Sequence, residues 1–360
     1  MIGHVNKLFH SFDTTFALKF VPYDQIQTVA DDELLVVDCY YHRGVNLTHL
    51  YSERVPEEFR ADSSTEVVLN WLNSSNIFKP KYVTCNHWDI DGFLAVWCVL
   101  NPELALQNKG LLIKTATLGD FRECDRDSEA GLNALKLCCI LNHVERTHFC
   151  QPFGDLDNAT IEYEVSAKKF LYFIPLFRKW LENVDEYRAL WHQEYTEVLD
   201  DLVFIDEGYA HIEELEDIGL SIITSSKPLH YYASFTKANG GAVLTYLPKN
   251  NYIELEYKYE TGVGRLHKKI IERVDLNSVA RELTELEMTE EIIWRFDNIN
   301  EGGPMLRPER IDAPISHELR YQNIAARVFM PEPPYTTLSD EVVIGKVIAV
   351  LTYASASAVS

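Results

Sequence analysis

Apolar residues fall along this chain in two rhythms: short unbroken runs, and longer stretches in which they return every three or four positions. Residues 33–38, Glu-Leu-Leu-Val-Val-Asp, are a run of the first kind and predict a buried strand closed by an acid. After Asp62, Ser63-Ser64-Thr65-Glu66 opens an N-capped helix to Leu72. Residues 81–86 read as a second strand, and Phe93 to Leu100 as a strongly apolar helix stopped by Asn101-Pro102. Leu111 to Leu118 predicts a third strand, and residues 128–142 a helix. Strand and helix alternate, so the fold class expected here is α/β, a doubly wound, mostly parallel sheet.

From Tyr163 to Leu199 the spacing is helical, and two helices are expected to meet at Pro175. Strands follow at 202–205 and 220–224. Ala242–Leu247 and Tyr252–Tyr257 flank Pro248-Lys-Asn-Asn251 and predict a hairpin. A helix from Leu266, a strand at 292–296 and a Gly302-Gly303-Pro304 turn complete a smaller α+β C-terminal domain. The expected division is 1–225, 226–330 and a tail from 331 to 360 outside the core, entered through Pro331-Glu-Pro-Pro334.

The 55 acidic residues exceed the 33 basic ones and give a formal charge of −22. That surface repels phosphate backbones and anionic membranes, so long nucleic acids and lipid are disfavoured partners, whereas a metal ion can still recruit a small phosphate. The start lacks a secretory layout, and the apolar stretch 342–354, broken by Lys346, is too short to span a bilayer. None of the seven cysteines forms a C-x-x-C pair, so buried reduced thiols and a cytoplasmic location are expected.

One segment concentrates chemistry: Asn86-His87-Trp88-Asp89-Ile90-Asp91-Gly92, between a predicted strand and a predicted helix. In an open α/β sheet ligands bind beyond the carboxyl ends of the strands, where these side chains fall. Carboxylates suit Mg²⁺ and Mn²⁺, and an imidazole beside them favours Mn²⁺. Asp89 and Asp91 also fit plain helix caps, but a cap accounts for one acid and not for the whole set. The glycine is read as allowing a tight turn into the helix.

This segment resembles the first motif of the DHH phosphoesterase superfamily, His-x-Asp-x-Asp-Gly. The closest pattern is that of a branch with Asn-His-Phe-Asp-x-Asp-Gly-x-Leu-x-x-Trp, matched here through Leu94 and Trp97, with Trp88 for the phenylalanine. The strict match covers residues 86–97, and the order of elements extends it loosely over 30–310. The resemblance implies hydrolysis of a phosphoester or phosphoanhydride bond of a small phosphorylated substrate at a site of two ions, manganese or magnesium. It implies a second domain that closes over the substrate, with His87, Asp89 and Asp91 as ligands. The Asp-His-His triplet of the superfamily is absent.

Asp120, after the predicted third strand, is the nearest substitute and completes the expected catalytic and metal set; Asp206, after the strand at 202–205, is a further metal candidate. Glu123, His143 and His148 are weaker ones. His49 and Asp62, on loops beyond the strand that Asp38 closes, could reach the crevice mouth. Arg265 and Arg273, in the dense basic stretch, and Arg295 are candidates to hold substrate phosphate. Two competing readings remain. A haloacid dehalogenase-like phosphatase would use Asp89 and Asp91 as nucleophile and acid with Lys227 in support, though Phe93 stands where those enzymes place threonine. A catalytically inactive metal- or ligand-binding protein on the same fold fits as well.

Overall fold

The computed structural model describes residues 18–50, 55–74, 78–149, 159–258, 272–300, 303–312 and 335–359. The class is α/β: a parallel sheet wrapped by helices, followed by a mixed sheet and a helix-containing C-terminal region. Strands β1 (Lys19–Phe20), β2 (Leu34–Val37), β3 (Val45–Leu47) and β4 (Tyr82–Thr84) pair in the order β1-β4-β2-β3, all parallel. All of β2 is buried because both faces are covered. Leu35 and Val37 enter the main core, while Leu34 and Val36 pack on Ile26, Val29 and Cys39.

Helix α1 (Ser64–Leu72) is capped by the Ser63 side chain, which accepts the Glu66 N–H. Helix α2 (Ile90–Leu100) is buried from Asp91 to Val99, as a helix apolar on every side must be. The short α3 (Pro102–Gln107) leads into α4 (Lys109–Phe121), which replaces the strand expected at 111–118. Leu112, Thr115, Ala116, Leu118 and Phe121 are its buried positions, and the helical spacing of 112, 115 and 116 outweighs the β-propensity of Leu111-Leu112-Ile113. At Gly119 an added Cβ would lie 2.4 Å from the Ile90 Cβ, so the glycine lets the end of α4 cross the start of α2.

Helix α5 (Glu129–Phe149) follows, then α6 (Ala159–Glu182) and α7 (Arg188–Asp206). Pro175 sits inside α6 and does not end it; the two helices meet at the 3-10 turn Val184–Tyr187. Phe170, Phe173 and Phe177 hold α6 through the proline by packing on Trp88, Phe93 and Trp97. The strand expected at 202–205 is the last turn of α7, where Val198, Leu202 and Ile205 share one buried face.

The second sheet contains β5 (Ala210–Leu215), β6 (Leu220–Ser225), β7 (Ala242–Leu247), β8 (Tyr252–Tyr257), β9 (Ile292–Phe296) and β10 (Met305–Arg310), in the order β5-β6-β7-β8-β10-β9. Only β6 and β7 pair in parallel. The β7–β8 hairpin has the expected bounds, and its turn ends at Asn251 with φ +42°. Helix α8 (Tyr231–Lys237) bridges β6 to β7. Ile223 and Val243 join the main core, whereas Leu220, Ile222 and Leu244 face a second core with α9 (Asn277–Leu286). Both cores therefore share β6 and β7.

The second core also holds α10 (Asp340–Val359) through Val343, Val347 and Leu351. This corrects the expectation that the chain from 331 onward lies outside the core; residues 331–334 themselves fall outside the described residues, as does the start of the helix expected from Leu266. Among the described residues no helix is long and apolar enough to cross a membrane.

Candidate metal centre

Four separate segments deliver side chains to the carboxyl ends of β2, β3 and β4. Asp38 follows β2, His49 follows β3, and Cys85, Asn86 and His87 follow β4. Ser64 opens α1, while Asp89 and Asp91 open α2. Asp38 is in the left-handed region at φ +54°, a conformation uncommon outside glycine and most tolerated by Asn and Asp. Such an outlier marks a place where the surroundings dictate the backbone.

Helix termini organise the acids. Both Asp91 oxygens accept N–H groups from the first turn of α1, Ser64 at 2.6 Å and Thr65 at 2.8 Å. The Asp89 Oδ1 accepts the Gly92 N–H at 2.7 Å and so caps α2. Two helix N-termini, each the positive end of a dipole, thus face one pool of carboxylates. The Ser64 hydroxyl donates to Asp38 Oδ1 at 2.6 Å and accepts the His49 backbone N–H at 3.0 Å.

The two imidazoles stand on opposite sides of Asp38. His49 Nδ1 is 3.6 Å from Asp38 Oδ1 and 3.3 Å from Asp91 Oδ2, with Nε2 3.4 Å from Asp120 Oδ2. His87 Nε2 is 3.5 Å from Asp38 Oδ2 and 3.0 Å from Asp89 Oδ2, with Nδ1 2.6 Å from Asn86 Oδ1. Each ring therefore turns one nitrogen to the acids around Asp38 and the other to an outlying oxygen, the arrangement that orients metal-binding histidines. Asp38, His49 and Asp91 bring one ligand atom each within 4.8 Å of one another; Asp38, Cys85 and His87 do the same. Asp38 belongs to both groups.

Burial drives the Asp38 carboxyl well above the ordinary carboxylate range, and the Asp89 and Asp91 charges push it further. At Asp89 burial also opposes ionisation, but His87 outweighs it and holds the carboxyl low. His87 is correspondingly pushed well up: burial disfavours its charge, and the Asp89 carboxylate prevails. Among the described residues the cationic partners of Asp38 and Asp91 are imidazoles, with no lysine or arginine.

A divalent cation fits these residues on three counts. The donors are carboxylate and imidazole, plus one thiol. The acids outnumber the bases. Gly92, inside α2, is a cradle: a Cβ there would lie 2.8 Å from Asp38 Oδ2, 3.0 Å from Cys85 Sγ and 3.1 Å from Asp89 Oδ1. The glycine at the start of α2 lets three donor atoms approach the helix backbone.

The fold thus brings together His49, His87, Asp89, Asp91 and Asp120, although Asp120 reaches the centre from the end of a helix and not from a strand. Asp120 faces the outer nitrogen of His49 and belongs to neither group of three. His49 lies within the centre, not at a crevice mouth. Asp206 ends α7 in ion pairs with Arg126 and Lys237, away from the expected metal role. Arg273 donates to the Ile299 carbonyl at 2.8 Å, and Arg295 pairs with Glu309 at 2.9 Å on β9 and β10. Arg265 lies outside the described residues. Glu123 pairs with Lys258, His148 rests against Tyr172, and His143 and Asp62 are in neither ligand group. Sequence reasoning missed the central place of Asp38, and missed Ser64 and Cys85 altogether. The signal for Asp38 was its position after a fully apolar strand.

Residues 16–359 match the model of a family of unknown function, DUF6687, and the chain belongs to that family. No curated protein and no solved structure matches it.

Proposed function

We propose that this member of the DUF6687 family is a metal-dependent phosphoesterase, of the kind its resemblance to the DHH superfamily implies, acting on a phosphoester or phosphoanhydride bond of a small phosphorylated substrate. The observation that supports it most is Asp38, shared by two ligand groups at the carboxyl edge of the parallel sheet. Asp38, His49 and Asp91 would hold one ion, and Asp38 and His87 a second, with Asp89 beside His87. Two manganese or magnesium ions there would supply Lewis-acid polarisation of phosphoryl oxygens and a bound water acidic enough to ionise near neutrality.

The chain's own groups keep that centre rigid. Asp120 stands 3.4 Å from His49 Nε2 while the Ser64 hydroxyl lies 3.0 Å from Nδ1; Asn86 holds the Nδ1–H of His87 and leaves Nε2 facing Asp38 and Asp89. The Ser64 hydroxyl fixes Asp38, and the first N–H groups of α1 fix Asp91. Two residues beyond Asp120, Arg122 caps α4 in the left-handed region, pairs with Glu256 of β8 and stacks on Phe235. In this reading the Arg122 guanidinium would join the candidates to hold substrate phosphate, in exchange for Glu256. The dehalogenase-like reading loses its support, because Lys227 pairs with Asp201.

The test is metal analysis with Mn²⁺-supplemented hydrolysis of a generic phosphodiester and of pyrophosphate, on wild type and Asp89→Asn. Asparagine caps helices as well as aspartate, so this variant removes charge and leaves α2 intact. Asp91→Asn is a poorer choice, since an amide cannot accept both N–H groups of α1. Roughly two ions per chain with turnover lost in Asp89→Asn is the expected result. Bound metal without turnover on either substrate favours the inactive binding protein, and a chain that holds no ion overturns the reading.

A further inference from the structure

We infer that Cys85 is a thiolate ligand in the His87 half of the centre, so that the two cation positions differ in chemical preference. The position at Asp38, His49 and Asp91 is hard, suited to manganese or magnesium; the one at Asp38, Cys85 and His87 is softer, suited to zinc or ferrous iron. The inference rests on the cation-binding part of the proposed function and not on hydrolysis.

Cys85 follows β4 beside the end of β2, where the parallel register sets Thr84 against Val36. Its Sγ lies 3.9 Å from His87 Nδ1 and 3.2 Å from the His87 carbonyl, and it shares the 4.8 Å group with Asp38 and His87. Asp38 Oδ2 and Cys85 Sγ also converge on the same point over Gly92, which is kept bare of a Cβ. Among the described cysteines Cys85 alone belongs to such a group. Soft thiolate beside imidazole selects zinc or iron over manganese, while carboxylates with one imidazole do not. Binding there expels the thiol proton, one per ion, and forms the metal–sulfur bond.

Cobalt(II) reports the ligand directly, because a thiolate on cobalt gives an intense near-ultraviolet charge-transfer absorption. The full chain, stripped with chelator, is titrated with Co²⁺, and Zn²⁺ and Mn²⁺ affinities are measured by competition in wild type, Cys85→Ser and Cys39→Ser. The expected result is a charge-transfer band in wild type and Cys39→Ser and none in Cys85→Ser. In Cys85→Ser the Zn²⁺ affinity falls at least about tenfold while tight Mn²⁺ binding persists. Cobalt bound to wild type without the band, or a band that survives Cys85→Ser, overturns the thiolate and leaves the phosphoesterase reading intact. No cobalt bound at all overturns both. The wild-type spectrum decides even if a variant fails to fold.

Discussion

Two of the buried charge clusters among the described residues, those around Glu194 and around Asp38, are built on opposite terms. Around Glu194, between α5, α7 and α8, Arg146 donates at 2.6 Å, Asn142 at 2.8 Å, and His230 Nε2 stands 3.5 Å away. Nearby, Asp201 accepts the His230 N–H at 2.6 Å and pairs with Lys227. Around Asp38 the neighbours are Asp89, Asp91 and two imidazoles. Burial pushes both carboxyls upward, but at Glu194 the bonds from His230 and Arg146 prevail and the group is held low, whereas at Asp38 further acids drive it higher. Equal burial with opposite outcomes shows that the partner set decides. A balanced cluster is part of the scaffold; an acid-rich one held in place by helix N-termini suits a bound cation.

The largest expected effect separates the two clusters outright. Asp38→Asn should lower metal affinity by at least about 100-fold, more than loss of an outer-shell partner. The metal-free variant should melt no lower than wild type, because asparagine tolerates φ +54°, still accepts from Ser64 and removes a repelling charge. A marked fall in its melting temperature would make the acid cluster a structural element after all. Arg146→Met should do the reverse: urea unfolding should show a loss of about 3 kcal/mol with metal affinity unchanged. A loss near zero would mean that Glu194 does not need its guanidinium.

The pH response of the balanced cluster has a definite sign. Glu194 is held below its ordinary value of 4.5, so its stabilisation is complete above that value and is lost as pH falls through the folded value. The stability advantage of wild type over Glu194→Gln should therefore shrink on acidification below 4.5; an advantage that stays constant or grows contradicts the assignment. Smallest is Ser64→Ala, which removes the hydroxyl between His49 and Asp38. Metal affinity should drop about tenfold and stability by about 1 kcal/mol, read by the same titration and melts.

The sequence by itself determined what depends on neighbours in the chain. The His87–Gly92 motif was legible because strand end, turn and helix start are contiguous. So were β2, the capped α1 and the β7–β8 hairpin, where local propensity and tertiary environment agree. Tertiary structure decided the rest. Leu35-Val36-Val37-Asp38 and Val203-Phe204-Ile205-Asp206 are nearly the same local phrase, an apolar run and an acid. The first is a strand that ends at the candidate metal centre, and the second is a helix end paired with Arg126 and Lys237. Nothing within four residues distinguishes them; the packing of each run against distant segments does. The same holds for the convergence of Asp38, His49, Ser64, Cys85 and Asp91. They come from strands and helices far apart in sequence, so only a register between strands and a shared pair of helix N-termini could assemble them.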